Sequence, residues 1–221
     1  MSSSGAAPAI SVEACSVALG GEPILRELDL EVERGAVVGI RGHNGTGKST
    51  LLRVVAGLII PDAGTVTVMG EPPTVRHVPP SLGIAIDAPA PYGWMSARGY
   101  LRTLLDLSGV ADRGQADAAL ARFGLTGAGR KRTFRFSQGM KKRLALAAAS
   151  LCEPGILLLD EPTNALDEEG RERFAAWISE VRAEGTTVLI ATHRHDDEVL
   201  CDLVHQIDEG HLIAPGAAAR G

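Results

Sequence analysis

A glycine-rich segment from Gly42 to Ser49, GHNGTGKS, carries the clearest chemical potential in the chain. Its spacing is that of the phosphate-binding loop, GxxxxGK[ST], in which glycines let successive backbone N–H groups point at phosphate oxygens. In such a loop, Lys48 supplies a cation for the β- and γ-phosphates, and the Ser49 hydroxyl binds Mg²⁺. The segment therefore predicts a nucleoside triphosphate site and leaves the reaction open.

A second segment ends a short apolar run, residues 156–159, with the two carboxylates Asp160 and Glu161. The run is typical of a buried parallel strand, and a carboxylate at its end is suited to hold Mg²⁺ through water. Glu161 follows at once and can polarise an attacking water as a general base. The alternative is a core strand that ends by chance in an exposed acidic pair, which the phosphate loop upstream disfavours.

Strands and helices must position these side chains, and the hydrophobic pattern predicts both. Short apolar runs predict strands at 10–19, 24–32, 36–40, 65–69, 156–159 and 186–191. Helical spacing of apolar residues predicts helices at 50–58, 97–107, 115–123, 138–151 and 168–184. This alternation predicts an α/β fold with a mainly parallel sheet, and the helical middle would be a part inserted into it.

The composition limits the classes of function. The 221 residues carry a net charge of -5, so nucleic-acid binding over the whole surface is not expected. The longest apolar run, residues 144–152, is far shorter than the roughly 20 residues of a membrane helix. The three cysteines are odd in number and far apart, which predicts buried, reduced thiols rather than disulfides or a zinc site.

A third motif, FSQGMKKR, lies between the first two, from Phe136 to Arg143. It resembles the signature of ATP-binding cassette (ABC) ATPases, usually LSGGQ, and looks most like the YSLGMKQR form of the branch that serves drug and lantibiotic exporters. The resemblance covers residues 10–212. It includes both phosphate-site segments, a D-loop from Asn164 to Asp167, and His193 just after the last predicted strand.

The resemblance implies a P-loop NTPase of the ABC type, with an N-terminal antiparallel β part, and a site shared by two chains that meet head to tail. ATP would lie between the phosphate loop of one chain and the signature of the other, so that Ser137 and Gly139 reach the opposite nucleotide. The implied catalytic residues are Glu161, His193 and Lys48, and the implied Mg²⁺ ligands are Ser49, Asp87 and Asp160. The implied ATP contacts are Leu19, Gly42, Asn44, Gly45, Thr46, Gly47, Lys48, Ser49, Thr50, Ser137, Gly139 and Asp167.

The chain departs from the family pattern in three places. The signature has Gln138 where glycine is common and Met140 where glutamine is common, and both changes occur in the branch that it resembles. Where the family has an aromatic residue that stacks on adenine, this chain has Leu19, which keeps apolar contact and loses stacking. Where the family has glutamine, or glutamate in lantibiotic exporters, this chain has Asp87, whose carboxylate is still able to bind Mg²⁺. The alternative for Asp87 is a loop residue that only makes a turn beside Pro89.

Three other segments have two interpretations each. Tyr92 and Trp94 suit an interface with a membrane subunit, or alternatively pack within the helical part. The basic residues of 130–135 and 141–143 form a cluster, interpreted as a solvated face beside a phosphate site rather than a nucleic-acid surface. The segment 193–197, with two histidines and two aspartates, would alternatively bind a metal, but no partner cluster accompanies it.

The sequence thus predicts the ATP-binding and ATP-hydrolysing subunit of an ABC transporter that powers a separate integral membrane permease, for export. We expect a homodimer on ATP binding, no nucleic-acid partner, and a cytoplasmic protein held at the inner face of the membrane by the permease. The alternative is a soluble ABC ATPase that remodels a non-membrane partner; a cassette without turnover is disfavoured by Glu161 and His193. The expected organisation is a tail at 1–9, an ATPase domain at 10–214 with helices inserted at about 88–152, and a tail at 215–221.

Overall fold

Two β-sheets and six α-helices make up the structure, a computed structural model that describes residues 7–73, 82–86 and 93–213. The strands are β1 Ile10–Leu19, β2 Glu22–Val32, β3 Val37–Arg41, β4 Ala63–Val68, β5 Leu82–Ala85, β6 Ile156–Asp160, β7 Thr187–Thr192, β8 Leu203–Asp208 and β9 His211–Ile213. The helices are α1 Lys48–Val55, α2 Ala97–Leu107, α3 Gly114–Arg122, α4 Gln138–Ala149, α5 Glu168–Ala183 and α6 His195–Glu198.

The smaller sheet is antiparallel and has the order β2-β1-β4. In the central strand, Ile10 pairs with Val32 on one side and with Val68 on the other. These three side chains are buried together with the apolar face of α1, which includes Leu51 and Leu52. The antiparallel part that the family resemblance implied is therefore confirmed.

The larger sheet has the order β5-β6-β7-β3-β8-β9, and all its neighbours are parallel except β8 and β9. The inner residues of its central strands are apolar because both faces of the sheet are covered, and every residue of β6 and β7 is buried. The phosphate loop follows β3, the acidic pair ends β6, and His193 follows β7. Since these three strands are neighbours and parallel, the predicted chemistry converges on one edge of the sheet.

The helices α2, α3 and α4 lie between β5 and β6 in sequence, as the predicted insertion requires. Their apolar faces share a core with α5, in which Leu101, Leu105 and Leu120 are fully buried. Phe123 at the end of α3 meets Trp177 of α5 edge to face, with ring centroids 5.1 Å apart. The inserted helices thus pack against α5, and α4 also lies directly against β5.

Several element boundaries differ from the sequence pattern. Helix α1 ends at Val55 rather than at residue 58, because Gly57 adopts a left-handed conformation with φ of 71°. The strands β5 and β9 and the short α6 have too few residues for a clear periodicity, and His205 and Gln206 interrupt the apolar run of β8, so the pattern does not predict them in full. Within the described residues, no helix has the length and apolar character needed to cross a bilayer.

Of the three cysteines, Cys15 is buried as expected, whereas Cys152 and Cys201 are only half-buried. Burial, together with the carboxylates of Asp197, Asp202 and Glu198, raises the pKa of Cys201 to about 12. Its thiol therefore stays protonated and unreactive at neutral pH. Two predicted residues, Asp87 and Tyr92, lie outside the described residues, as does nearly all of both predicted tails.

We predict that Gly83→Ala destabilises the fold by roughly 1–3 kcal/mol, as overpacking in a core does. A Cβ atom at Gly83 would lie 2.2 Å from the carbonyl oxygen of Ala149, so β5 and α4 would have to separate. Urea unfolding of both forms measures the change. The matched control is Gly127→Ala, where nothing lies within 4 Å of the new Cβ atom. Equal stabilities of the two variants would contradict the packing of β5 against α4.

Candidate active site

In the phosphate loop, Gly47 directly precedes α1 and sets the backbone turn into this helix. Gly47 has a φ of 107°, and a Cβ atom there would lie 2.8 Å from Leu25 of β2, so only glycine fits. No side chain caps the N-terminus of α1. The N–H groups of its first turn are therefore available to an anion, and the helix dipole favours negative charge at that point. This geometry fits a phosphate group.

Lys48 is buried at the centre of this loop, with 6% of its surface exposed. Its Nζ atom donates to the carbonyl oxygens of Gly42 at 2.7 Å and His43 at 2.9 Å. The same Nζ lies 3.8 Å from Oε1 of Glu161. A buried cation must be compensated by such partners, and here they hold the ammonium group between the loop and the acidic strand end.

Glu161 is the first residue after β6, where the chain turns out of the strand. Its backbone is left-handed, with φ of 45°, and its N–H donates to the carbonyl oxygen of Ala191 in β7 at 2.8 Å. This conformation turns the carboxylate toward the phosphate loop on one side and His193 on the other. Nδ1 of His193 lies 2.7 Å from Oε2 of Glu161. The three residues predicted as catalytic, Lys48, Glu161 and His193, are therefore brought together.

Two of the three residues predicted to hold Mg²⁺, Ser49 and Asp160, are described, and they suit an ion that takes its other ligands from water and nucleotide. Asp160 is buried at the carboxyl end of β6, and Ser49 is half-buried in the first turn of α1. In the described part of the chain, no group of three or more His, Cys, Asp or Glu side chains is arranged to hold a metal. One hydroxyl and one carboxylate suit Mg²⁺, which keeps several waters and takes further oxygens from nucleotide phosphates.

The signature segment forms a second, separate surface. Ser137 caps α4 by accepting a hydrogen bond from the N–H of Met140 at 3.2 Å. A Cβ atom at Gly139 would lie 2.6 Å from the carbonyl oxygen of Ala165, so this turn and the D-loop are in close contact. Together they line a cavity of about 560 Å³ that contains no residue of the phosphate loop. Ser137 and Gly139 thus line a cavity apart from the phosphate loop of their own chain.

Asp167 lies in this signature cavity too. It caps α5 by accepting from the N–H of Gly170, and it forms an ion pair with Arg143 of α4. The Arg143 guanidinium holds the pKa of the Asp167 carboxyl below its usual range. The basic run in the sequence predicts a solvated position for Arg143. In the structure, its ion pair with Asp167 instead joins the signature helix α4 to the D-loop.

Lys142 also departs from that cluster. It is half-buried, and its Nζ donates to the backbone carbonyl oxygen of Asp160 at 2.9 Å. It therefore ties the first turn of α4 to the carboxyl end of β6. Because Lys142 stands in a run of basic residues, nothing in the sequence indicates that its side chain points inward. The remaining basic residues of the cluster, Arg130, Lys131, Arg132 and Arg135, are exposed as expected, and Lys141 is half-buried.

The other predicted nucleotide contacts border the phosphate loop. Asn44 and Gly45 are exposed within it, whereas Thr50 is buried in α1. The Thr46 hydroxyl donates to the carbonyl oxygen of His43 at 2.9 Å. Leu19 is 43% exposed at the end of β1, in the hairpin whose second strand contacts Gly47.

Comparison with known proteins gives consistent matches. A family model described as ABC transporter matches residues 25–164. The daunorubicin resistance ATP-binding protein DrrA3 of Streptomyces coeruleorubidus is 38% identical over 216 residues, covering 95% of this chain and 68% of that protein. The bacitracin transport ATP-binding protein BcrA of Enterococcus faecalis is 32% identical over 208 residues, covering 92% and 68%. The uncharacterized ABC transporter ATP-binding protein YdbJ of Bacillus subtilis is 34% identical over 214 residues, covering 95% and 69%.

Solved structures match over almost the same length. cbiO1 from Clostridium perfringens, described as part of the ABC transporter complex cbiONQ, has a TM-score of 0.77 and 30% identity, covering 96% of this chain and 89% of its own. A dimeric ATP-binding cassette in a post-hydrolysis state with ADP and Pi has a TM-score of 0.88, covering 96% and 99%. At 22% identity, that second likeness establishes the fold alone.

We predict that Lys48→Ala weakens binding of ATP about 10- to 100-fold, since a hydrogen bond to a charged group contributes about 1.5–3 kcal/mol. Equilibrium titration with a fluorescent ATP analogue measures the affinity. Lys131→Ala is the matched control, because Lys131 is an exposed lysine outside the phosphate loop. Undiminished affinity in Lys48→Ala would mean that the nucleotide binds elsewhere.

Proposed function

The chain belongs to the ABC transporter family as an ATP-binding subunit, and from this premise we propose that it hydrolyses ATP to power a separate membrane permease. The observation that carries the proposal is the position of Glu161, with one carboxylate oxygen 3.8 Å from Lys48 and the other 2.7 Å from His193. A general base beside a phosphate-binding cation is what hydrolysis needs and what binding alone does not.

In the proposed reaction, each side chain has one task. Lys48 and the N–H groups at the start of α1 hold the phosphates, and Glu161 accepts the proton of the attacking water. His193 fixes the orientation of the Glu161 carboxylate through Nδ1. When bound, Mg²⁺ would be held by Ser49 and Asp160, and it neutralises charge that develops on the phosphates.

The proposed site is completed by a second copy of the chain. Ser137, Gly139 and Asp167 line a cavity apart from the phosphate loop of their own chain. In a head-to-tail dimer, this cavity would cover the nucleotide held by the opposite subunit, and the N-terminus of α4 would favour its negative charge. ATP then contacts both chains only in the closed dimer, so its binding shifts the population toward closure.

The proposed direction is export, and the proposed location is the inner face of the cell membrane, through the permease. The support is that two relatives are named for daunorubicin resistance and for bacitracin transport. We further propose that Leu19 contacts the adenine base through its exposed apolar side chain. Binding of Mg²⁺ by Asp87 stays a prediction from the sequence.

We predict that Glu161→Gln abolishes turnover and traps ATP in a stable dimer, because the amide keeps the shape of the side chain and cannot accept a proton. Gel filtration with saturating Mg-ATP measures the mass. Glu172→Gln is the matched control, since Glu172 is exposed on α5 and the charge change is the same. A monomeric Glu161→Gln protein under these conditions would contradict the shared site.

We predict that Trp94→Ala reduces recovery of the membrane permease with this chain, since an exposed aromatic side chain is a typical interface anchor. The Trp94 side chain is 68% exposed. Co-purification from detergent-solubilised membranes measures the association. Leu107→Ala, at a residue that is 80% exposed at the end of α2, is the control for loss of apolar surface in general. Equal recovery of the permease with both variants would place the interface elsewhere.

A further inference from the structure

The carboxylate of Asp197 lies in the segment after His193 and is 1% exposed. From the sequence alone, metal binding was the disfavoured alternative for this segment. Asp197 instead points inward from the short helix α6, and burial raises its pKa, an effect that hydrogen bonds from Thr192 and Thr163 oppose. Removing a carboxylate from water costs free energy, so a buried acid of this kind requires compensating contacts.

Two buried threonines hold this carboxylate from opposite sides. The Thr163 hydroxyl donates to Oδ1 of Asp197 at 2.8 Å and lies 3.0 Å from Oδ2. The Thr192 hydroxyl donates to Oδ2 at 2.6 Å. Thr163 is 3% exposed and Thr192 is 0% exposed, so neither hydroxyl has water as an alternative partner. Hydrogen bonds to an ionised acceptor in such surroundings are strong and directional.

These two threonines belong to the two segments that carry the proposed chemistry. Thr192 is the last residue of β7 and directly precedes His193, and its Oγ1 also accepts from the N–H of Arg194 at 3.0 Å. Thr163 follows Glu161 by two positions, in the turn where its carbonyl oxygen accepts from Leu166. Asp197 therefore bridges the end of β7 to the turn after β6.

The contact between Glu161 and His193 joins two segments, the turn after β6 and the residues after β7. Glu161 is anchored to β7 through its own N–H, which fixes its backbone and leaves the direction of His193 to the segment after β7. The Thr192 hydroxyl is fixed by Asp197, and the N–H that follows His193 is fixed by Thr192. The residues on both sides of His193, Thr192 and Arg194, are thus fixed by hydrogen bonds that lead to Asp197.

We propose that Asp197 is a positioning residue for hydrolysis, which sets the 2.7 Å contact of His193 with Glu161 by tying Thr192 to Thr163. This inference rests on the proposed ATPase function. Asp197 does not touch the nucleotide site, so its loss should lower kcat and leave the affinity for ATP unchanged. Misplacement of a catalytic group by about 1 Å is enough to cost up to about 100-fold in rate.

The test compares Asp197→Asn with Asp196→Asn in the full chain. Both remove one negative charge from α6, but Asp196 is exposed and pairs only with Arg194 at 3.0 Å among the described contacts. We expect kcat to fall about tenfold or more in Asp197→Asn, with KM for ATP within about twofold of the wild type. Asp196→Asn should keep both values. Thr163→Val, which keeps the side-chain shape, should reproduce the loss of kcat if Asp197→Asn fails to fold.

A spectroscopic measurement separates this inference from the proposed function. The imidazole resonances of His193, assigned with a His193→Gln variant, should shift in Asp197→Asn and Thr163→Val and stay in place in Asp196→Asn. Unshifted resonances, or an unchanged kcat in a folded Asp197→Asn protein, would overturn the positioning role. A wild-type protein without Lys48-dependent ATP hydrolysis would instead overturn the proposed function, and the His193 resonances would still report whether Asp197 fixes that side chain.

Discussion

The adjacency of three parallel strands, β6, β7 and β3, is the constraint on which the rest of the site depends. Each strand ends in a residue or loop with a chemical task, and parallel pairing aligns those ends at one edge of the sheet. Residues separated by more than a hundred positions, such as Lys48 and Glu161, thereby come within 3.8 Å. The buried apolar runs of these strands fix the register, so the core and the site are specified by the same pairing.

Several residues of the site also have conformations or buried charges that cost folding free energy, and other contacts in the fold offset this cost. Glu161 is a left-handed residue with a side chain, a conformation that costs on the order of 1–2 kcal/mol, and Lys48 and Asp197 are charged groups removed from water. Each is stabilised by partners on a different element: β7 for Glu161, the phosphate loop for Lys48, and two threonines for Asp197. Strained and buried polar groups thus concentrate around the side chains to which the proposed function assigns the chemistry.

Local signals in the sequence were sufficient for the motifs and most elements, and insufficient for contacts made across the fold. Glycines and a lysine at fixed spacing predicted the phosphate loop, and an apolar run predicted β6, because those patterns reflect local geometry. The roles of Asp197, Lys142 and Arg143 depend on which strands and helices are neighbours. In sequence, each looks like an ordinary charged surface residue. The early end of α1 follows from the left-handed Gly57, which the helical periodicity does not encode.

In the proposed dimer, the hydrogen bond from Lys142 to the carbonyl oxygen of Asp160 would connect the two nucleotide sites. Within one chain it joins the helix that would cover the neighbour's nucleotide to the strand end that would hold the chain's own Mg²⁺. A shift of that strand end on metal binding would move the signature turn of the same chain. The two nucleotide sites would then share a coupling free energy, which by linkage acts equally in both directions. In that arrangement, filling the first site changes the affinity of the second.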